Sequence, residues 1–398
     1  MAKQRSLPRT PKVALLLETS TEFGRGLLRG IVRYSRLHGP WSLYVAPGHL
    51  EQALPKAKSW KGTGIIARVR TPEMARMIRS TGLPFVASSL DEFMTKDGQN
   101  KFCQIETNSP AIAQTAATHL MERGLHQFAF CGFVDCPWSS LRERVFFQRI
   151  EDMGFRCQVH RIQLANWMQR SNWIQTWEHE QPLLSRWLKA LPKPVGLMAC
   201  NDVCGREVLQ ACASAGLRVP DDVAVIGVDN DELMCELSSP PLSSVALNLE
   251  GAGYEAARLL DGLMSKRLKG KYQVRVEPSF VVTRRSTDVI PQDDPVVAGA
   301  LWFIRDHAPK PIGVIDVVEV VGMSRRTLER RFLQSMGRSI LSEITRCRLE
   351  RAKSLLRETK LPCLRVSEGA GFGSVKSFNR CFRRFERVSP NEFRQSGL

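Results

Sequence analysis

The stretch "GMSRRTLERRF", residues 322–332, sets Arg325, Arg326, Glu329, Arg330 and Arg331 around two apolar positions, Leu328 and Phe332. At about 100° per residue, a helix turns Leu328 and Phe332 to one side and Arg326 and Arg330 to the other. The stretch "GFGSVKSFNRCFRRF", residues 371–385, repeats the pattern: Phe378, Phe382 and Phe385 fall inward, and Lys376, Asn379 and Arg380 outward. Guanidinium and amide groups on a solvent face can hydrogen-bond to base edges, arginine with guanine and asparagine with adenine, while a glutamate accepts from cytosine.

A second group of polar residues suits different chemistry. Asn201 and Asp202 follow the apolar run 195–200, and Asp229 and Asn230 close the run 223–229. If both runs are strands of a parallel sheet, these residues sit at strand C-terminal ends, where such folds bind ligands. "WSSLRERVFF", 138–147, brings Trp138, Arg142 and Arg144 in after the run 127–133. Carboxylate, amide and guanidinium groups match sugar hydroxyls, which both donate and accept, and an aromatic ring covers the apolar sugar face. The plainer role for Asp202 and Asp229 is turn capping, and for Arg142 a surface cation. Two acids would also serve a glycosidase. Against that, both have hydrogen-bonding neighbours and nothing supplies an acid/base asymmetry, so the sequence predicts no enzyme.

The elements that must hold these groups fall into two regions. From Val13 to about Arg285, buried-strand runs alternate with helical stretches: strands at 13–18, 41–46, 62–69, 84–89, 127–133, 195–200 and 223–229, and helices at 24–39, 108–123, 204–215 and 250–265. That alternation predicts parallel sheets covered on both faces. The segment "PPLSSV" at 240–245 looks like a small-residue loop. "TDVIPQDDPV", 287–296, has two prolines and three acids and resembles a linker. Beyond it the pattern is helical: 295–307, 313–321, 324–335, 338–357, 364–370, 374–386 and 390–395. The predicted division is a basic tail over 1–11, an α/β domain over 12–286, a linker over 287–294 and an all-α domain over 295–398.

Each cationic stretch has the same prelude. A short helix ends at Gly322 or Gly371, and Ser324 or Ser374 stands at the N-cap position of the next helix. Helix, glycine turn, cap and amphipathic helix make a helix-turn-helix, and here there are two copies about 50 residues apart. Between them lies "SILSEITRCRLERAKSLLRET", with an apolar stripe at Ile340, Ile344, Leu349, Ala352, Leu355 and Leu356. A helix of about 18 residues spans about 27 Å, enough to hold two recognition helices one DNA turn apart.

Residues 295–395 resemble the DNA-binding domain of the AraC family, most closely in "GFGSVKSFNRCFRRFERVSPNEFR". The resemblance implies base contacts from Arg325, Arg326, Glu329 and Arg330 in the first motif and from Ser374, Lys376, Asn379 and Arg380 in the second. Arg331, Arg383, Arg384 and Arg387 are better placed for phosphates, or for no contact with DNA. "ND...G", "VIGVDN" and "PPLSSV" resemble the sugar-sensing domain of the lac-repressor and galactose-repressor family, over roughly 12–288. That resemblance implies a two-lobed, periplasmic-binding-protein-like fold and nominates Asp229, Asp202, Asn201, Asn230 and one arginine as ligand contacts. Arg142 is preferred because Val145 and Phe146 follow it as in that family, with Arg144 the runner-up; Trp138 or Phe23 is expected to stack on the sugar. The first twelve residues are too few for the N-terminal helix-turn-helix of lac-repressor proteins. A sensor of this type joined to an AraC-type domain resembles the xylose-operon regulators, through "GVDNDEL", "LSSVA" and "RRSTD". It implies D-xylose as effector, a homodimer, double-stranded DNA and RNA polymerase as partners, and activation of sugar-catabolism genes. Repression and another sugar remain open.

Composition is consistent with this. The net charge is +17 over 398 residues, and residues 290–398 carry 20 Lys/Arg against 12 Asp/Glu. Such a balance favours nucleic acid as a partner. The apolar run "VALLL" is too short for a signal-peptide core, and no run is long enough to span a bilayer, so a cytoplasmic, nucleoid-associated protein is expected without a membrane partner. The eleven cysteines show no CxxC spacing and are expected to be reduced. No metal-ligand spacing and no phosphate loop is present, and no cofactor is expected.

Overall fold

The computed structural model describes residues 10–45, 61–69, 71–88, 103–163, 173–288, 294–359, 361–386 and 388–396. The chain divides into two units, Met1–Val289 and Ile290–Leu398.

The first unit holds two six-stranded sheets. One lobe starts with β1 (Lys12–Leu16), α1 (Glu22–His38), β2 (Ser42–Val45), β3 (Gly64–Arg68), α2 (Pro72–Ser80), β4 (Phe85–Ser88) and β5 (Cys103–Thr107). The chain then enters the other lobe: α3 (Ser109–Met121), β6 (Phe128–Phe133), α4 (Pro137–Asp152), β7 (Cys157–Ile162), α5 (Trp173–Ala190), β8 (Val195–Ala199), α6 (Asp202–Ala215), β9 (Val223–Asp229), α7 (Glu232–Glu236) and β10 (Ser243–Leu247). It returns for α8 (Leu249–Met264) and β11 (Gln273–Val276), then crosses again to β12 (Pro278–Val282). The sheet orders are β11-β5-β4-β3-β1-β2 and β12-β10-β9-β8-β6-β7. All pairings are parallel except β10 with β12. Runs such as "VALL" and "VGLMA" are buried throughout because helices cover both sheet faces.

From Ser243 onward, the segment expected as a small-residue loop is instead the fully buried strand β10. Its serines are compatible with burial because their hydroxyls are used. Ser243 donates to the Arg284 carbonyl at 3.0 Å, and Ser244 donates to Asp202 Oδ1 at 2.5 Å. The expected linker is tied down at both ends. Buried Thr287 donates to Ser243 Oγ at 2.8 Å and meets His119 Nε2 at 2.8 Å. Asp294 caps the first helix of the second unit.

That unit runs α9 (Pro295–His307), α10 (Val314–Val321), α11 (Arg325–Met336), α12 (Ile340–Glu358), α13 (Cys363–Gly369), α14 (Val375–Glu386) and α15 (Pro390–Ser396). Two small cores lie along α12. Ile340 and Ile344 join Leu301, Ile304, Val317, Leu328 and Phe332 in one, and Leu349, Ala352 and Leu356 join Val366, Phe372, Phe378, Phe382 and Phe393 in the other. The nineteen residues of α12 give a rod about 28 Å long. Phe385, expected inward, is 48% exposed. It lies seven positions from Phe378, a full two turns on, and the core is already closed there by Phe393 of α15.

Candidate functional site

The first unit gathers polar groups where the strands of its two sheets end. Asp229 ends β9 with φ 100°, and Asn230 follows at φ 51°. Non-glycine residues in the left-handed region carry strain, and such strain collects at functional sites. Arg142 is buried on α4, donates from Nη1 to the Cys200 carbonyl at 2.5 Å and has Nη2 3.8 Å from Asp229 Oδ1. Its guanidinium lies 5.3 Å from the Trp138 ring centre. From the opposite lobe, Arg68 at the end of β3 lies 5.9 Å from the same ring and 5.1 Å from that of Phe23. Phe23, Arg68, Trp138 and Arg142 therefore alternate rings and cations across the cleft. Glu18 holds Arg68 at 3.3 Å. Burial pushes the Asp229 carboxyl up to about 6, against the pull of Arg142 and Arg68.

The other nominated residues support this wall. Asn201 Oδ1 accepts from the Cys204 amide at 2.9 Å and so caps α6. Asp202 is buried with both oxygens engaged, Oδ1 by the Ser244 hydroxyl and Oδ2 by the Asp231 amide at 2.6 Å. Burial, reinforced by the charge of Asp229, holds its carboxyl well above the usual range. It fixes the turn after β9, with each oxygen engaged inside the fold. Asn230 Oδ1 accepts from Arg284 at 2.9 Å. Arg144 is exposed, one turn face away from buried Arg142.

Asp231 joins the two lobes. Its Oδ2 accepts from the Glu22 amide at 3.0 Å and pairs with Arg25 at 2.8 Å, both at the start of α1. Among the described residues, Ser88 Oγ, Arg142 Nε, Asp229 Oδ1 and Asp231 Oδ1 are buried around these strand ends with no hydrogen-bond partner. A buried polar group left without a hydrogen bond costs about 1–3 kcal/mol, so donors and acceptors concentrated in this way suit a polar ligand. Sequence reasoning passed over Arg68, Ser88 and Asp231. The rule that led to Asp229 applies equally to Arg68 and Ser88, which close β3 and β4.

The second unit carries the cationic face. In both motifs a glycine takes positive φ at the turn, Gly322 at 68° and Gly371 at 86°. At Gly322 only the conformation demands glycine; at Gly371 space does too, since a Cβ would stand 2.3 Å from the Ala308 carbonyl oxygen. Ser324 and Ser374 then cap α11 and α14 by accepting from the amides of Thr327 and Ser377. Leu328, Phe332, Phe378 and Phe382 are fully buried, which turns Arg325, Arg326 and Arg330, and Lys376 and Arg380, to solvent. Glu329 is half-buried and accepts from Arg325 Nε at 2.9 Å. Asn379 is half-buried and lines a surface hollow with Lys376, Arg380 and Arg383. Arg383 and Arg384 are exposed, and Arg387 lies outside the described residues. Arg331, expected to meet phosphate or nothing, makes a bidentate pair with Asp294 at 2.6 and 2.7 Å.

Comparison with known proteins gives the same two parts. Residues 117–287 match the model of a periplasmic binding protein-like domain, and residues 317–396 that of a helix-turn-helix domain. Over 388 residues the chain is 31% identical to the xylose operon regulatory protein of Escherichia coli strain K12, covering 96% of each. It is likewise 31% identical to the protein of that name from Haemophilus influenzae, covering 96% of this chain and 98% of the relative. The solved structure of a xylose-binding transcription activator matches with TM-score 0.69 at 30% identity, over 98% of this chain and 99% of that one. The lac repressor dimer matches at TM-score 0.52 and 15% identity over 70% of this chain and 82% of that one, a likeness of fold alone. Among the described residues, no helix is long and apolar enough to cross a membrane.

Proposed function

This chain belongs to the family of xylose operon regulatory proteins, sugar-responsive DNA-binding regulators and not enzymes, and from that premise we propose that D-xylose in the strand-end cleft switches it on as an activator of sugar-catabolism genes. The observation that carries the reading is the cluster of unpartnered buried atoms on Ser88, Arg142, Asp229 and Asp231. Sugar hydroxyls supply both the donors and the acceptors these atoms lack. Asp229 and Arg142 bind the sugar directly, Trp138 and Phe23 border it, and Asn201, Asp202 and Asn230 hold the turns that aim them.

Bound sugar favours the form in which Asp231 bridges to α1, and the response is limited by the difference in sugar affinity between the two forms. The paired output is a homodimer in the cytoplasm, on nucleoid DNA. Arg325, Arg326, Glu329 and Arg330 of α11, and Ser374, Lys376, Asn379 and Arg380 of α14, face base edges in successive major grooves. RNA polymerase is the partner at the promoter.

A sugar screen tests this. Thermal melting and operator titration of the whole protein are measured with D-xylose, other pentoses and hexoses. At a hundred times its Kd a ligand stabilises by about 2.7 kcal/mol, so D-xylose should raise the melting temperature and tighten operator binding while the others do neither. The same response to every sugar, or to none, would refute the reading.

A further inference from the structure

Asp294 is the first described residue after the segment that joins the two units, and its carboxylate does two jobs. Oδ1 accepts from the amides of Val296 and Val297 at 3.0 and 3.2 Å, capping α9. The same carboxylate takes Nε and Nη2 of Arg331 at 2.6 and 2.7 Å. Arg331 sits on α11 between Arg330, which is exposed, and Phe332, which is buried. The point where the chain enters the DNA-binding unit is therefore pinned to the first recognition helix, one residue from a base-facing arginine. Bidentate arginine–carboxylate pairs fix orientation as well as distance. α9 reinforces the joint, since Val297, Ala300, Leu301 and Ile304 share a core with Leu328 and Phe332 of α11.

The second recognition helix is placed differently. Its core is built on Leu349, Ala352, Leu356 and four phenylalanines, and among the described residues α9 contributes no side chain to it. It meets the first half through α12 and through the backbone after α9. Gly371 lies against the carbonyl of Ala308, and Arg348 of α12 donates to the carbonyls of Ala308, Lys310 and Ile312 at 2.8–3.0 Å.

We propose that the Asp294–Arg331 pair is the joint through which the sensor's state reaches DNA, acting on the first recognition helix, and that Arg331 is a positioning residue with no phosphate contact. This rests on the sugar-gated reading above. A shift of the chain at Asp294 turns α11 about its own axis and moves Arg326 and Arg330 relative to base edges, while α14 keeps its hold.

The test uses the full-length protein and reads the ratio of operator Kd without and with D-xylose, together with the salt dependence of binding. Asp294→Asn keeps a good N-cap and removes the charge partner, and Arg331→Gln removes the guanidinium. In both, the D-xylose ratio should fall by about three- to tenfold, the scale on which single residues modulate coupling. D-xylose affinity and the slope of log K against log salt should stay at wild-type values. Arg331→Lys, which keeps a single charged contact, should restore part of the ratio. A full ratio in Asp294→Asn would overturn the proposal. So would a slope reduced by about one in Arg331→Gln, the signature of a lost phosphate contact. A wild-type ratio of one would instead defeat the sugar-gated reading itself, and the joint with it.

Discussion

Beneath α11 the buried side chains are mostly aliphatic, namely Leu301, Ile304, Val317, Leu328, Ile340 and Ile344, with Phe332 the one fully buried ring among the described residues. Beneath α14 four phenylalanines run in a chain, Phe372–Phe378–Phe382–Phe393, with ring centres 5.2–5.5 Å apart. The first half adds an ion triad around a buried acid: Glu343, with no exposed surface, pairs with the partly exposed Arg338 at 2.5 Å and Arg346 at 2.7 Å. It also spends cations inward or sideways, in Arg331–Asp294 and Arg325–Glu329. In the second half Lys376, Arg380 and Arg384 face solvent and make no ion pair among the described residues. One plan is thus stabilised in two ways. Where charges are tied to the fold they set its shape and its response to acid, and where they are left free they attract a polyanion at long range.

The largest effects should separate the two cores. Glu343→Gln removes the buried charge that holds Arg338 and Arg346 and should cost about 3 kcal/mol. Phe382→Ala should cost about 3–5 kcal/mol through a cavity. Denaturant melting of the full-length protein, followed by amide exchange, should place the first loss around α10–α12 and the second around α13–α15. Identical exchange patterns would erase the distinction.

Acid should sharpen it. Burial alone would raise the Glu343 carboxyl, but hydrogen bonds and charge from Arg346 and Arg338 outweigh it and bring it down to about 2. A depressed folded-state value means the contribution is present above the ordinary glutamate range and is lost as pH falls toward 2. It amounts to something on the order of 3 kcal/mol, and exchange measured between pH 5 and 2.5 should show α10–α12 loosening first. Glu343→Gln should abolish that slope.

On DNA, Arg330→Ala and Arg380→Ala should each lose about 1–3 kcal/mol and relax selectivity at one base pair, read by titration against single-base operator variants. A uniform loss on all sequences would assign that residue to phosphate. The smallest effect is electrostatic: Arg384→Gln should reduce the salt slope by about one, whereas Arg331→Gln should leave it unchanged.

Much of this was legible in the sequence, for definable reasons. Strands such as "VAVIGVD" stood out because burial on both faces leaves no polar alternation to confuse them. β10 did not, because Ser243 and Ser244 are satisfied by partners about 40 residues away. The helix-turn-helix repeat was visible because glycine, serine cap and helical spacing are all local. Phe385 departed from expectation because tertiary neighbours decide it, Phe393 closing the core beside Phe382, and the Asp294–Arg331 pair was invisible for the same reason. In the cleft, Asp229 was nominated from its strand end, and Arg142 was preferred to Arg144 through the family resemblance. Asp202 was also nominated from its strand end, and its bonds to Ser244 and the Asp231 amide are a pairing that only the fold reveals.

The claim on which the rest depends is that α11 and α14 each read their own stretch of major groove. Guanine N7 methylation protection on the operator, with D-xylose present, tests it most directly. The account predicts two protected patches about 10 base pairs apart on one face of the duplex for each DNA-binding unit, with Arg330→Ala erasing one and Arg380→Ala the other. A single patch, or both substitutions weakening the same one, would contradict it.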